Sequence, residues 1–105
     1  EFAYDCSVQA HERQLKNVFV SNGYMAPDVT RHLASVLDAI NIDIKGFTDD
    51  FYKKVCTARL QPVLDNVTLM HELGVWVEVT TLIIPGLNDS SDELRDIARF
   101  IRDVS

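Results

Sequence analysis

The sequence predicts an α/β fold of about three parallel strands with four helices, an arc of a larger barrel. Helical and strand periodicities alternate in the order α-β-α-β-α-β-α, with connections that suit right-handed parallel crossovers. No linker, low-complexity stretch or domain boundary interrupts residues 1–105, which therefore read as a piece of one domain. Three strands do not close a barrel, for which about eight is the familiar number. A small open three-stranded layer is the alternative architecture.

The first element runs from Glu1 to about Gln14, where Phe2, Ala3, Cys6 and Ala10 form the stripe of an amphipathic helix expected to lie on the sheet. Asn17 to Ser21 is a short β-rich run stopped by Asn22-Gly23, a pair suited to positive φ. Pro27 suits a first helical position, and Val29, Leu33, Val36 and Leu37 continue the helix at i, i+4, i+7 and i+8. Ala39 to Lys45 alternates strictly, with Ile40, Ile42 and Ile44 on one face and Asn41, Asp43 and Lys45 on the other. Thr48 suits the cap of a short helical turn holding Phe51, Tyr52 and Val55. About Pro62 to Leu73 forms a longer helix closed by Gly74. Val75 to Ile84 is the strongest strand signal and stops at Pro85-Gly86. Ser90 and Glu93 make a capping box for a last helix through Leu94, Ile97, Ala98 and Ile101.

Composition narrows the function. With 47% apolar residues the chain can build a core, and no run of about 18 apolar residues suggests a membrane span. A formal net charge of −6 repels phosphate backbones and anionic lipid, so neither nucleic acid nor membrane is expected as a partner. Cys6 and Cys56 stand far apart with no ligand at metal spacing, and are expected to be reduced, mostly buried thiols in a cytoplasmic protein. His11, His32 and His71 fall on helices among charged neighbours and read as solvated side chains. The chain opens in helical pattern at Glu1 without an initiating Met and stops at Ser105 within another helix, so an internal segment of a longer protein is expected.

Ligands of parallel sheets gather at the carboxyl ends of the strands, where loops vary and helix N-termini point donors outward. Ser21-Asn22-Gly23, Asp43-Ile44-Lys45-Gly46 and Pro85-Gly86-Leu87-Asn88-Asp89 all fall there. The middle group carries the most information, because fully covered parallel strands read apolar on both faces and this one does not. A carboxylate and an ammonium two residues apart can grip the amino and carboxylate groups of an amino-acid-like ligand. An internal Asp43-Lys45 pair, or a hydrated barrel interior, explains the same pattern. Glu78 and Thr80 repeat it on the third strand, with Glu78 pairing Lys45 as the structural alternative.

The runs NVFVSNGYM, NIDIKGFTDDFYKKV, ARLQPVLDNV and VEVTTLIIPGLNDSSDELRDIARFI closely resemble radical SAM enzymes of the AmmeMemoRadiSam type, relatives of pyruvate formate-lyase activating enzymes. The likeness extends over almost the whole chain. It implies a partial, TIM-like (β/α)6 barrel in which a four-iron, four-sulfur (4Fe-4S) cluster reductively cleaves S-adenosylmethionine to methionine and a 5′-deoxyadenosyl radical. It also implies that Asp43 and Lys45 contact the methionine part of that cofactor, and that Ser21, Asn22 and Gly23 correspond to a Thr-Asn-Gly segment beside it. Thr80 stands where some relatives carry Arg, and Val20 where an Asp commonly helps a cation site. The CxxxCxxC loop that supplies three cluster ligands is absent, and Cys6 and Cys56 cannot replace it. The expectation is therefore the third-to-fifth-strand region of such an enzyme, inactive alone, acting in the parent on an unknown protein or small-molecule substrate. A binding or partner-docking module without redox chemistry is the alternative. An arc of barrel also leaves open strand edges near Val18 and Val79, from which self-association is expected.

Overall fold

A computed structural model describes all residues, 1–105. The chain forms α1 (Phe2–Glu12), β1 (Val18–Ser21), α2 (Pro27–Ala34), β2 (Ala39–Asp43), α3 (Asp49–Val55), α4 (Leu60–Glu72), β3 (Trp76–Thr80) and α5 (Ser91–Val104). The three strands make one parallel sheet in sequence order, with β2 central. The α/β class and parallel arc are those expected. The helices number five instead of four because the turn after Thr48 grows into α3. The Thr48 hydroxyl accepts from the Phe51 N–H, and Lys53 and Lys54 pair back to Asp49 and Asp50 one turn earlier. Asp49 also accepts from Leu60 N at 3.2 Å, tying α3 to the start of α4. The Lys53 bond and then the Leu60 N–H hold its carboxyl below the usual value.

Strict alternation in β2 decides where the core sits. Ile40, Ile42 and Ile44 are fully buried in one cluster with Val63, Leu64, Val67 and Met70 of α4, and Phe51 and Tyr52 of α3, Leu37, Val75 and Ile97 complete it. Gly46 is needed where it stands, since a Cβ there would come within 2.7 Å of the Phe51 ring. The opposite face is bare. Val20 is 83% and Trp76 70% exposed, and no helix covers Asn41, Glu78 or Thr80.

Several expectations change. The β-rich run Val75–Ile84 pairs only over Trp76–Thr80, because β2 is its sole neighbour and stops at Asp43. The α1 stripe does not lie on the sheet: Phe2 is 82% exposed, Ala3 and Cys6 face solvent, and Ala10 is half-buried. Of β1 only Phe19 packs on the core cluster, so this edge strand offers α1 little to cover. The helix instead leans on its neighbours through Tyr4, stacked on His32 at 3.8 Å, and buried Ser7. The cysteines are free, as read, but not both buried: Cys6 is exposed and Cys56 half-buried. His11, His32 and His71 are all exposed, as expected. No helix is long and apolar enough to cross a membrane.

Candidate functional site

The bare face of the sheet gathers its polar groups toward the carboxyl end. Register places Asn41 beside Glu78 and Asp43 beside Thr80. Thr80 Oγ1 donates to Asn41 Oδ1 at 2.9 Å, and Lys45 Nζ donates to Asp43 Oδ2 at 2.8 Å. Lys45 thus pairs with Asp43 and not with Glu78, which settles the alternative raised above. The internal pair does not exhaust the site. Asp43 Oδ1 is buried without a hydrogen-bond partner, and a buried oxygen left bare costs on the order of 1–3 kcal/mol. The ammonium of Lys45 keeps donors to spare, since it makes one bond. A ligand amine against the Asp43 carboxylate and a ligand carboxylate against the ammonium would use both groups, with Oδ1 reached only once it is uncovered.

Ser21 makes the last β1–β2 register pair, with Ile42, and Asn22 and Gly23 follow it at the turn. That register turns the Ser21 side chain to the helix-covered side, where its Oγ accepts from Gly23 N at 3.0 Å. Asn22 is exposed at the turn, and its Oδ1 accepts from Tyr24 N at 2.9 Å. Gly23 adopts φ +71 and lies so close to β2 that a Cβ would come within 2.8 Å of Ile42 Cγ2. Of the six residues singled out, Asp43, Lys45 and Thr80 share the bare face. Asn22 meets Lys45 around a shallow cavity of about 130 Å³ that Tyr24, Tyr52, Cys56 and Thr57 also line. Ser21 and Gly23 shape the turn.

Three further residues support this end: Asn88 fell in the Pro85–Asp89 turn and Tyr52 in the helical turn after Thr48, neither with a role expected of it, and Asn66 was not singled out at all. The Tyr52 hydroxyl accepts from Lys45 N at 2.9 Å, and burial pushes its phenol above the ordinary value of 10.0. Asn88, fully buried, donates to Lys45 O at 2.7 Å and Leu82 O at 2.8 Å while accepting from Ile84 N. Asn66 of α4 donates to the carbonyls of Gly23 and Met25. The only advance signal was an amide within an apolar helical pattern. No three His, Cys, Asp or Glu side chains come together as a metal-binding group, and Cys6 on α1 lies on a different element from Cys56 at the end of α3.

Comparison with known proteins bears on this geometry. The Radical SAM superfamily profile matches residues 2–101. The chain is 52% identical over 103 residues to an uncharacterized protein of Methanocaldococcus jannaschii, covering 98% of this chain and 30% of that protein. It is 26% identical over 103 residues to the (2S)-3-sulfopropanediol sulfolyase activating enzyme of Bilophila wadsworthia, covering 96% of this chain and 34% of that one. Against the pyruvate formate-lyase-activating enzyme of Clostridium pasteurianum it is 30% identical over 67 residues, 64% of this chain and 28% of the other. This chain thus spans about a third of the length of these relatives. In fold it matches a domain of a pyruvate-formate lyase-activating enzyme from Bacteroides vulgatus with TM-score 0.85 at 15% identity, covering 94% of this chain and 62% of that one. The expected TIM-like arc and the radical SAM resemblance are both met, and the chain belongs to the Radical SAM superfamily.

Proposed function

We propose that residues 1–105 form the third-to-fifth-strand region of one barrel domain in a cytoplasmic radical SAM enzyme of the activating-enzyme type, and supply half of its S-adenosylmethionine site. The observation that carries this reading is the half-exposed Asp43 carboxylate, held on one oxygen by Lys45 and with the other oxygen buried and unpartnered. The Asp43 carboxylate would hold the amino group of the methionine moiety and the Lys45 ammonium its carboxylate, so that the two would fix its orientation. Asn22 and Thr80 flank the pair, and Ser21 and Gly23 hold the turn that carries Asn22. In the longer protein a four-iron, four-sulfur cluster would supply the chemistry, reductive cleavage of the S-adenosylmethionine held here to methionine and a 5′-deoxyadenosyl radical. The donor set for that cluster does not fit Cys6 and Cys56, which lie on separate elements. Its thiolates are assigned to the longer protein, as is recognition of a protein or small-molecule hydrogen donor.

The test is anaerobic iron and sulfide reconstitution of the full-length protein, reduction, and chromatography for 5′-deoxyadenosine. Product from the wild type, cut at least about tenfold by Asp43→Ala, is the expected result. No product from the full-length protein would overturn the reading. The isolated chain is expected to yield none, and a stable cluster with cofactor cleavage on it alone would contradict the assignment of the thiolates elsewhere.

A further inference from the structure

We infer that Asn66, on α4 and away from the ligand, is the positioning residue of this site: it holds the Ser21–Gly23 turn against β2. The inference rests on the site reading above and goes beyond it. Asn66 is 2% exposed. Its Nδ2 donates to Gly23 O and Met25 O, each at 2.7 Å, and its Oδ1 accepts from Thr30 Oγ1 at 2.6 Å, with Thr30 fully buried. The two carbonyls set the orientation of the amide, since a flip would face its oxygen toward both of them. An apolar residue here would fill the space and leave two inward carbonyls without donors.

The geometry gives this clamp leverage on the site. Gly23 packs against both β2 and α4: a Cβ there would meet Ile42 Cγ2 at 2.8 Å and Cγ1 of Val63, one helical turn before Asn66, at 3.3 Å. Ile42 immediately precedes Asp43. Asn22, on the cavity shared with Lys45, is carried between Ser21 and Gly23. Movement of the Gly23 carbonyl therefore changes where Asn22 stands relative to Asp43 and Lys45.

A matched control exists at the opposite end of the sheet. Asn17 is also buried and donates its amide to two backbone carbonyls, Ser7 O at 2.9 Å and Val36 O at 2.8 Å, just before β1 begins. A merely structural role predicts the same behaviour for both asparagines. In the full-length protein, S-adenosylmethionine affinity by equilibrium dialysis and thermal midpoints are compared for wild type, Asn66→Ala, Asn17→Ala and Thr30→Val. Asn66→Ala is expected to weaken binding about tenfold or more, whereas Asn17→Ala lowers the midpoint with less than about twofold change in affinity. Equal affinity changes in the two variants, or none in Asn66→Ala, would overturn the inference. Thr30→Val keeps the shape but removes the donor to Asn66, and serves if Asn66→Ala does not fold. It is expected to speed amide exchange at Gly23–Met25 and weaken binding about threefold, and unchanged exchange and affinity would overturn the inference. Wild-type protein that binds no S-adenosylmethionine would remove the site reading itself, and this inference with it.

Discussion

On one face of β2, Ile40, Ile42 and Ile44 are sealed beneath α3 and α4, and on the other Asn41, Asp43 and Lys45 remain half-exposed with a carboxylate oxygen unsatisfied. The alternation through β2 and the two residues after it thus serves two purposes, separated only by the two-residue repeat of side-chain direction. The covered face is closed and satisfied, and its residues are replaceable only at a cost in stability. The bare face carries uncompensated polar groups, and its residues can change with little effect on folding.

The largest expected effect is on the covered face. Ile42→Ala leaves a cavity at the centre of the core and should lower stability by about 2–5 kcal/mol in urea unfolding. A loss under about 1 kcal/mol would break the contrast. Next is Tyr52→Phe, which removes the acceptor for Lys45 N and should cost on the order of 1–3 kcal/mol. Because burial raises the Tyr52 phenol above 10.0, stability is full below that pH and falls as pH rises through the folded value, as the unfolded phenol ionises first. Tyr52→Phe should flatten this alkaline decline, measured as unfolding midpoint against pH. Asp43→Asn should change stability by less than about 1 kcal/mol, because its partner Lys45 is 41% exposed. The smallest effect belongs to Trp76→Thr, within about 0.5 kcal/mol. That substitution should nonetheless reduce self-association in sedimentation, since Trp76 is part of the bare apolar surface with Val18 and Val20.

What was legible in the sequence was local. The Ile40-Ile42-Ile44 alternation marked the central strand and its two faces, the Thr48 and Ser90 caps marked helix starts, and Gly74 at φ +84 follows α4 as expected. What was not legible depends on partners distant in the chain. Strand β3 is shorter than its β-rich run because its length is set by β2. The α1 stripe read as sheet-facing because periodicity does not say whether sheet lies beneath it. Asn66 and Asn88 looked like ordinary polar residues in a helix and a turn, yet they bond carbonyls 43 residues away, Gly23 and Lys45. Asp43 and Lys45 were singled out from pattern, whereas the buried amides bonded around them were not.

We propose above all that the end of β2 binds the methionine part of S-adenosylmethionine. The most direct test is isothermal titration of S-adenosylmethionine into the full-length protein and its Asp43→Ala variant, with thermal midpoints recorded alongside. Binding by the wild type that is lost in the variant, with the midpoint nearly unchanged, is the predicted result. Equal binding by both proteins would contradict the claim.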